Sequence, residues 1–411
     1  MLRLGRRFDA PSWRIFARPR YRENQIFTEV IAAIYRKRRA LAGGLRSCLD
    51  ATRATVRFDS SVRARDCLLP GRQRDAAGRR GEKMTVIAWI AGFGLAAVVV
   101  FAGALAIFAA WTARRVEKAL PPRGHFIEVD GARIHYLDEG SGPPLVLIHG
   151  LGGQMHNFTH SLLDRLKHNH RVVILDRPGC GYSTRPRNGS AALGAQAKII
   201  AGLIDKLGLD RPLIVGHSLG GAIALLLALE HPEKIGGLAL LAPATHAGKA
   251  VPPLFRGIYV RSNFMRRLVA WTLAIPMSIT NRELVLGTVF GPGAVPEDFA
   301  IKGGGLLTLR PRSYIAASTD LTAAIEDLQH MPARYGGLTV PVGVLFGTND
   351  LLLDHAVHGG GLVEKYPGAH IELIEDGGHM IIITAADHCA DFITRMARRS
   401  SAQPVEPELV A

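Results

Sequence analysis

An apolar run, Pro212-Leu213-Ile214-Val215, leads directly into Gly216-His217-Ser218-Leu219-Gly220, and a second apolar run from Gly221 to Leu229 follows without a break. The first run reads as a buried strand and the second as a buried helix, so the five residues between them must turn the chain sharply. Such a turn strains its central residue and presses the flanking positions against neighbouring backbone. Glycine on each side removes those clashes and leaves Ser218 at the tip. With 45 glycines in the chain, the pattern also arises by chance. A nucleophilic serine therefore has to be accompanied by a base, an orienting acid and an oxyanion site.

The acid and base follow in the order expected when such a turn tops a parallel sheet. Pro341 to Phe346 reads as a short buried strand ending in Gly347-Thr348-Asn349-Asp350. His370 to Ile374 reads as another, running into Glu375-Asp376-Gly377-Gly378-His379. Strand carboxyl ends share one edge of an open parallel sheet, so Ser218, Asp350 and His379 can converge there. Asp354, Asp376 and Glu375 are the rival acids. Asp376 lies only three residues before His379 and would have to fold back along the same loop.

Upstream, the strand Pro144 to Ile148 opens into His149-Gly150-Leu151-Gly152-Gly153. The N–H groups of Leu151 and of Leu219, the residue after the nucleophile, form the expected oxyanion pair, and losing one such donor typically costs about 10²–10³ in rate. His149 is read as bracing this loop.

The chain resembles the α/β-hydrolases. Four pieces carry the resemblance: His149-Gly150, Asp176-Arg177-Pro178-Gly179-Cys180-Gly181-Tyr182-Ser183, the Ser218 turn, and the late Asp350 and His379. It covers about residues 124 to 399. It implies a hydrolase needing no cofactor or metal, with a Ser218, His379, Asp350 triad and a cap inserted after the sixth strand. A serine at the turn argues against the dehalogenase and epoxide-hydrolase branches, whose nucleophile there is an aspartate.

The residues support the same architecture independently. His125 to Val129 and Ala132 to Tyr136 flank Asp130-Gly131 as a hairpin. Strands then alternate with helical stretches, Asn157 to Lys167, Ala191 to Leu207 and a last helix from Met380 to Arg398, which predicts a mostly parallel α/β sheet with helices on both faces. Between Pro243 and about Arg334 the alternation stops, giving a helical cap over about 245–334. Its stretches Leu254 to Tyr259, Phe264-Met265, Val269 to Leu273 and Leu284 to Leu286 favour an apolar acyl or aromatic group in the substrate.

Residues 84–113 carry no charge, and as a helix they would span about 45 Å against roughly 30 Å of bilayer hydrocarbon. Trp89 and Trp111 stand near the two ends as interfacial aromatics do. One transmembrane helix is expected.

Residues 1–83 hold 21 Lys+Arg against 8 Asp+Glu, while the remainder holds 29 against 27. The arm thus supplies +13 of the formal +15, and the domain itself carries no signature of nucleic-acid binding. Three readings of the arm stand open: a disordered basic tail on anionic lipid, a targeting segment, or sequence upstream of a true start at Met84. The last is preferred, because the arm lacks periodicity and a methionine stands at the edge of the apolar run. With the arm, basic residues before the helix outnumber Arg114, Arg115, Lys118 and Arg123 and put the domain outside the cytoplasm; without it the bias reverses.

Cys48, Cys67, Cys180 and Cys389 have no metal-like or framework spacing, and Cys180 is read as a filler near the active edge rather than a reactive thiol. Residues 400–411 are expected to be a disordered tail. The expected activity is hydrolysis of a carboxylic ester, apolar or lipid-like, through an acyl-enzyme. A C–C bond hydrolase, an amidase or a perhydrolase would use the same triad, and a silent membrane-anchored scaffold is the alternative of a different class. The sequence leaves the oligomeric state open.

Overall fold

The computed structural model describes residues 76–186, 188–248 and 250–402. Most of the basic arm, Cys48, Cys67 and the tail beyond residue 402 lie outside the described residues. The chain divides into two units, residues 1–86 and 87–411, and apart from the first turns of one helix everything below concerns the second.

Eight strands form one sheet: β1 His125–Val129, β2 Ala132–Glu139, β3 Pro144–Ile148, β4 Arg171–Leu175, β5 Leu213–His217, β6 Gly237–Leu241, β7 Val342–Gly347 and β8 His370–Ile374. Their order is β1-β2-β4-β3-β5-β6-β7-β8. Strand β2 runs antiparallel to β1 and β4, and the remaining pairs are parallel. The β1–β2 hairpin turns at Asp130 and Gly131, with φ of 49° and 75°, the left-handed pair that a two-residue turn needs. Every residue of β5, β6 and β7 is buried, as expected where helices cover both faces of a parallel sheet.

The longer helices are α1 Ala76–Ala119, α2 Leu193–Lys206, α3 Leu219–Glu230, α4 Asn263–Trp271, α5 Ala274–Thr280, α6 Arg282–Phe290, α7 Pro311–His330 and α8 Ala386–Ala402. Helices α4 to α7 fill the connection between β6 and β7, the segment expected to form the cap. The expected helix over 157–167 is instead two short turns, His156–Thr159 and Leu163–Leu166. The expected last helix breaks at Ala385 (φ −131°) into Ile381–Thr384 and α8. Leu254 to Tyr259 overlaps one 3₁₀ turn, Pro253–Phe255, rather than forming a helix, because Pro252-Pro253 and Gly257 interrupt any longer run.

Helix α1 is longer than its uncharged stretch. Within Ala88–Ala119 an 18-residue stretch has a mean hydropathy of 2.5 and is 6% buried, so by length and composition the helix can cross a membrane. Its last turns are different: Ala109, Thr112, Val116 and Leu120 are buried at i, i+3 and i+4 spacing. Glu117 pairs with Arg310 at 3.6 Å, and the Tyr182 hydroxyl donates to the Leu120 carbonyl. The end of the helix is therefore docked onto the domain.

Candidate active site

Ser218 stands between β5 and α3 with φ 54° and ψ −121°, a strained geometry that its surroundings enforce. A Cβ on Gly216 would lie 2.6 Å from the Gly220 carbonyl, one on Gly220 2.1 Å from the Ile148 carbonyl, and one on Gly221 2.6 Å from Pro243 Cβ. The glycines let this turn sit against β3 and the end of β6. Among the described residues Ser218 Oγ makes no hydrogen bond.

His379 follows β8, and its Nδ1 lies 2.7 Å from Asp350 Oδ2 at the end of β7. Both side chains are buried, at 6% and 1% exposure. The other Asp350 oxygen accepts the N–H groups of Leu352 and Leu353 at 2.8 and 3.0 Å. Burial would raise the Asp350 pKa, but the facing His379 ring and these two amides hold it below the ordinary carboxylate value. The rivals point elsewhere: Asp376 accepts from Asn349, Asp354 caps Ala356, and Glu375 is exposed. The backbone holds the acid and base loops together, since a Cβ on Gly347 would meet the Gly377 carbonyl at 2.2 Å.

His217 joins the base to the serine turn. Its Nε2 lies 3.1 Å from the His379 carbonyl, and the two rings are 5.0 Å apart. Burial, and then the neighbouring His379, push the His217 pKa down to about 3. It is a neutral wall of the site rather than a second base.

On the other side, a Cβ on Gly150 would lie 2.8 Å from Ser218 Cβ, so the His149–Gly153 loop runs directly beside Ser218. Neither the Leu151 nor the Leu219 N–H donates to any of the described residues. The loop carbonyls are engaged instead. Arg177 donates from Nε to the His149 carbonyl at 2.9 Å and from Nη2 to the Gly150 carbonyl at 3.1 Å. His149 accepts the Arg177 N–H at Nε2, which leaves its Nδ1–H to donate to the Gly150 carbonyl at 2.9 Å. Burial, then the adjacent Arg177, lower its pKa to about 4. His149 is thus the brace expected from the sequence.

Two cap contacts reach the same loop. Asp320 of α7, wholly buried, accepts from Arg177 at 2.7 Å and from Arg185 at 2.5 Å. Gly303 accepts from Gln154 and Asn157 at 2.9 and 3.0 Å. Sequence reasoning missed Asp320, because its partner Arg177 lies 143 residues away. Cys180 is buried beside this pair. Burial pushes its pKa up to about 12, so it stays a thiol. Asp176 also serves the loops: it accepts from the Met155 and Tyr182 N–H groups and pairs with His135 at 2.7 Å.

The cap differs from expectation in one respect. Phe264, Met265, Trp271, Leu273 and Leu284, whose character suggested an apolar substrate pocket, are exposed.

Comparison with known proteins agrees with this fold. A family model described as the alpha/beta hydrolase fold matches residues 143–278. Haloalkane dehalogenase 2 of Mycobacterium tuberculosis is 35% identical over 247 residues, which are 56% of this chain and 79% of that protein. The dihydrolipoyllysine-residue acetyltransferase component of the acetoin cleaving system of Cupriavidus necator is 40% identical over 119 residues, 29% of this chain and 31% of that protein. Among solved structures, a bacterial membrane phospholipase A, described as a virulence factor, superposes with a TM-score of 0.54 at 24% identity, covering 78% of this chain and all of that one. The eight-stranded sheet, the serine turn after β5 and identity extending over most of a relative's length lead to one conclusion: this chain belongs to the α/β-hydrolase fold family.

Proposed function

We propose that the protein is a membrane-anchored serine hydrolase that cleaves a carboxylic ester, apolar or lipid-like, through a Ser218-His379-Asp350 triad. The observation that carries the reading is the buried 2.7 Å His379–Asp350 pair on the edge where Ser218 is held at φ 54°.

Asp350 fixes the His379 tautomer with the proton on Nδ1 and leaves Nε2 as the base. In the reacting complex Nε2 takes the Ser218 proton as Oγ attacks the ester carbonyl. The N–H groups of Leu151 and Leu219 stabilise the oxyanion. His379 then gives its proton to the departing alcohol, and a water activated by the same ring releases the acid and restores Ser218.

Serine at the turn separates this reading from the chemistry named for the dehalogenase relative. A serine alkyl ether formed by halide displacement would resist hydrolysis, whereas an acyl-serine is readily hydrolysed. Helix α1 supports anchoring, and the phospholipase neighbour is compatible with a lipid-like substrate. The test is a panel of p-nitrophenyl esters of rising chain length, with Ser218→Ala as control. Turnover in that variant should fall by about 10⁴–10⁶, as in other triad knockouts, while the fold persists. Retained ester hydrolysis would refute the proposal.

A further inference from the structure

Helix α4 is built inside out. Phe264, Met265, Leu268 and Trp271, at i, i+1, i+4 and i+7, form one stripe and are 43–74% exposed. The opposite side, packed on the domain, carries Arg266 at 5% and Ala270 at 0% exposure. Arg266 is fully engaged there, donating to Ser318 Oγ at 3.0 Å, Asn263 Oδ1 at 2.6 Å and the Val260 carbonyl at 2.7 Å. The helix therefore cannot roll its apolar stripe inward without stranding a buried guanidinium. Met277 on α5 and Leu284 on α6 are also exposed. An apolar surface spread over three consecutive helices marks a contact with another phase or molecule.

Charge and position select the occupant. Residues 251–290 hold five arginines and one acid, Glu283, and Arg256, Arg261 and Arg267 are exposed around the stripe. Apolar side chains rimmed by cations suit the headgroup boundary of an anionic bilayer. The start of α7 fixes the location. Arg310 there holds Glu117 at the end of α1, and Tyr314, one turn on, packs on Ala270 and Ala274 and donates to the Gly257 carbonyl at 2.8 Å. The root of α4 thus lies one helical turn from the docking point of the membrane-length helix. We infer that the outer face of α4, α5 and α6 lies in the surface of an anionic bilayer, as a second membrane contact beside α1. The inference rests on the proposed anchoring by α1.

The test uses the full chain with Trp13→Phe, Trp89→Phe and Trp111→Phe, which leaves Trp271 as the reporter. It is reconstituted into vesicles of phosphatidylcholine, with and without phosphatidylglycerol. Aqueous iodide should quench Trp271 about fivefold less than a free tryptophan amide, as for a side chain set in the interface. Brominated lipid should quench it strongly, more so with phosphatidylglycerol present. Quenching by iodide but not by brominated lipid would overturn the inference, and so would shielding from both, which would place protein, such as a second copy, on the face. Resistance to carbonate extraction reports separately on anchoring, and hydrolysis of a water-soluble ester on the activity. Failure of either with Trp271 in lipid contact would sink that reading and leave this face standing; success of both with Trp271 in water would sink only the face.

Discussion

Helices α3 and α4 are both short, and both place large aliphatic or aromatic side chains on every turn, yet they obey opposite rules. Ten of the twelve residues of α3 are buried, and the turn that starts it has no room for a single added methyl. In α4 the apolar stripe faces outward and an arginine faces inward. The contrast separates two demands on one chain. Around Ser218 the backbone is over-determined, as a strained nucleophile requires. On the outer cap the domain is incomplete by itself, and the completing surface lies outside the chain.

Substitutions should divide along that line. The largest stability effect is expected for Gly220→Ala, whose Cβ would lie 2.1 Å from the Ile148 carbonyl. Backbone cannot yield there, and denaturant titration should show a loss of about 4 kcal/mol or more. Next comes Asp320→Asn, which leaves Arg177 and Arg185 buried around a neutral group. Breaking such a pair costs about 3–5 kcal/mol, and because Arg177 holds the His149 and Gly150 carbonyls, ester turnover should fall in the molecules that remain folded.

A third prediction concerns pH. His149, His217 and His358 have folded-state pKa values of about 4, 3 and 4, lowered first by burial, against 6.5 when unfolded. The unfolded chain binds more protons between these values, so stability is complete above about pH 6.5 and falls as the pH drops toward 4, with an uptake approaching about three protons on unfolding. Denaturant midpoints measured across that range check the slope; a flat profile would mean that these three buried rings are not held neutral in the folded protein. The smallest effect is expected for Phe264→Ser, which should change stability by no more than about 0.5 kcal/mol because the side chain is already outside. A large loss there would erase the contrast with α3.

What could be read from the sequence follows the same division. Ser218, Asp350 and His379 were legible because each lies in a local pattern, a strand end followed by glycine and a polar residue, and because parallel strands gather such ends on one edge. The hairpin at Asp130-Gly131 was legible for an equally local reason. The Arg177–Asp320 pair was not, since it joins residues 143 apart in sequence, and nothing near Arg177 indicates its partner. The orientation of α4 escaped for another reason. Periodicity shows that a helix has an apolar face, not which way the face points. Only the three hydrogen bonds of Arg266 decide that, so residues read as shaping a substrate pocket proved to be exposed.

The central claim is that Ser218 is a nucleophile activated by His379. It is tested most directly by reacting the intact protein with a fluorophosphonate probe and locating the adduct by peptide mass spectrometry. The account predicts one adduct, on Ser218, lost in Ser218→Ala and strongly slowed in His379→Ala. A folded protein that forms no adduct at Ser218, or forms it as fast without His379, would contradict it.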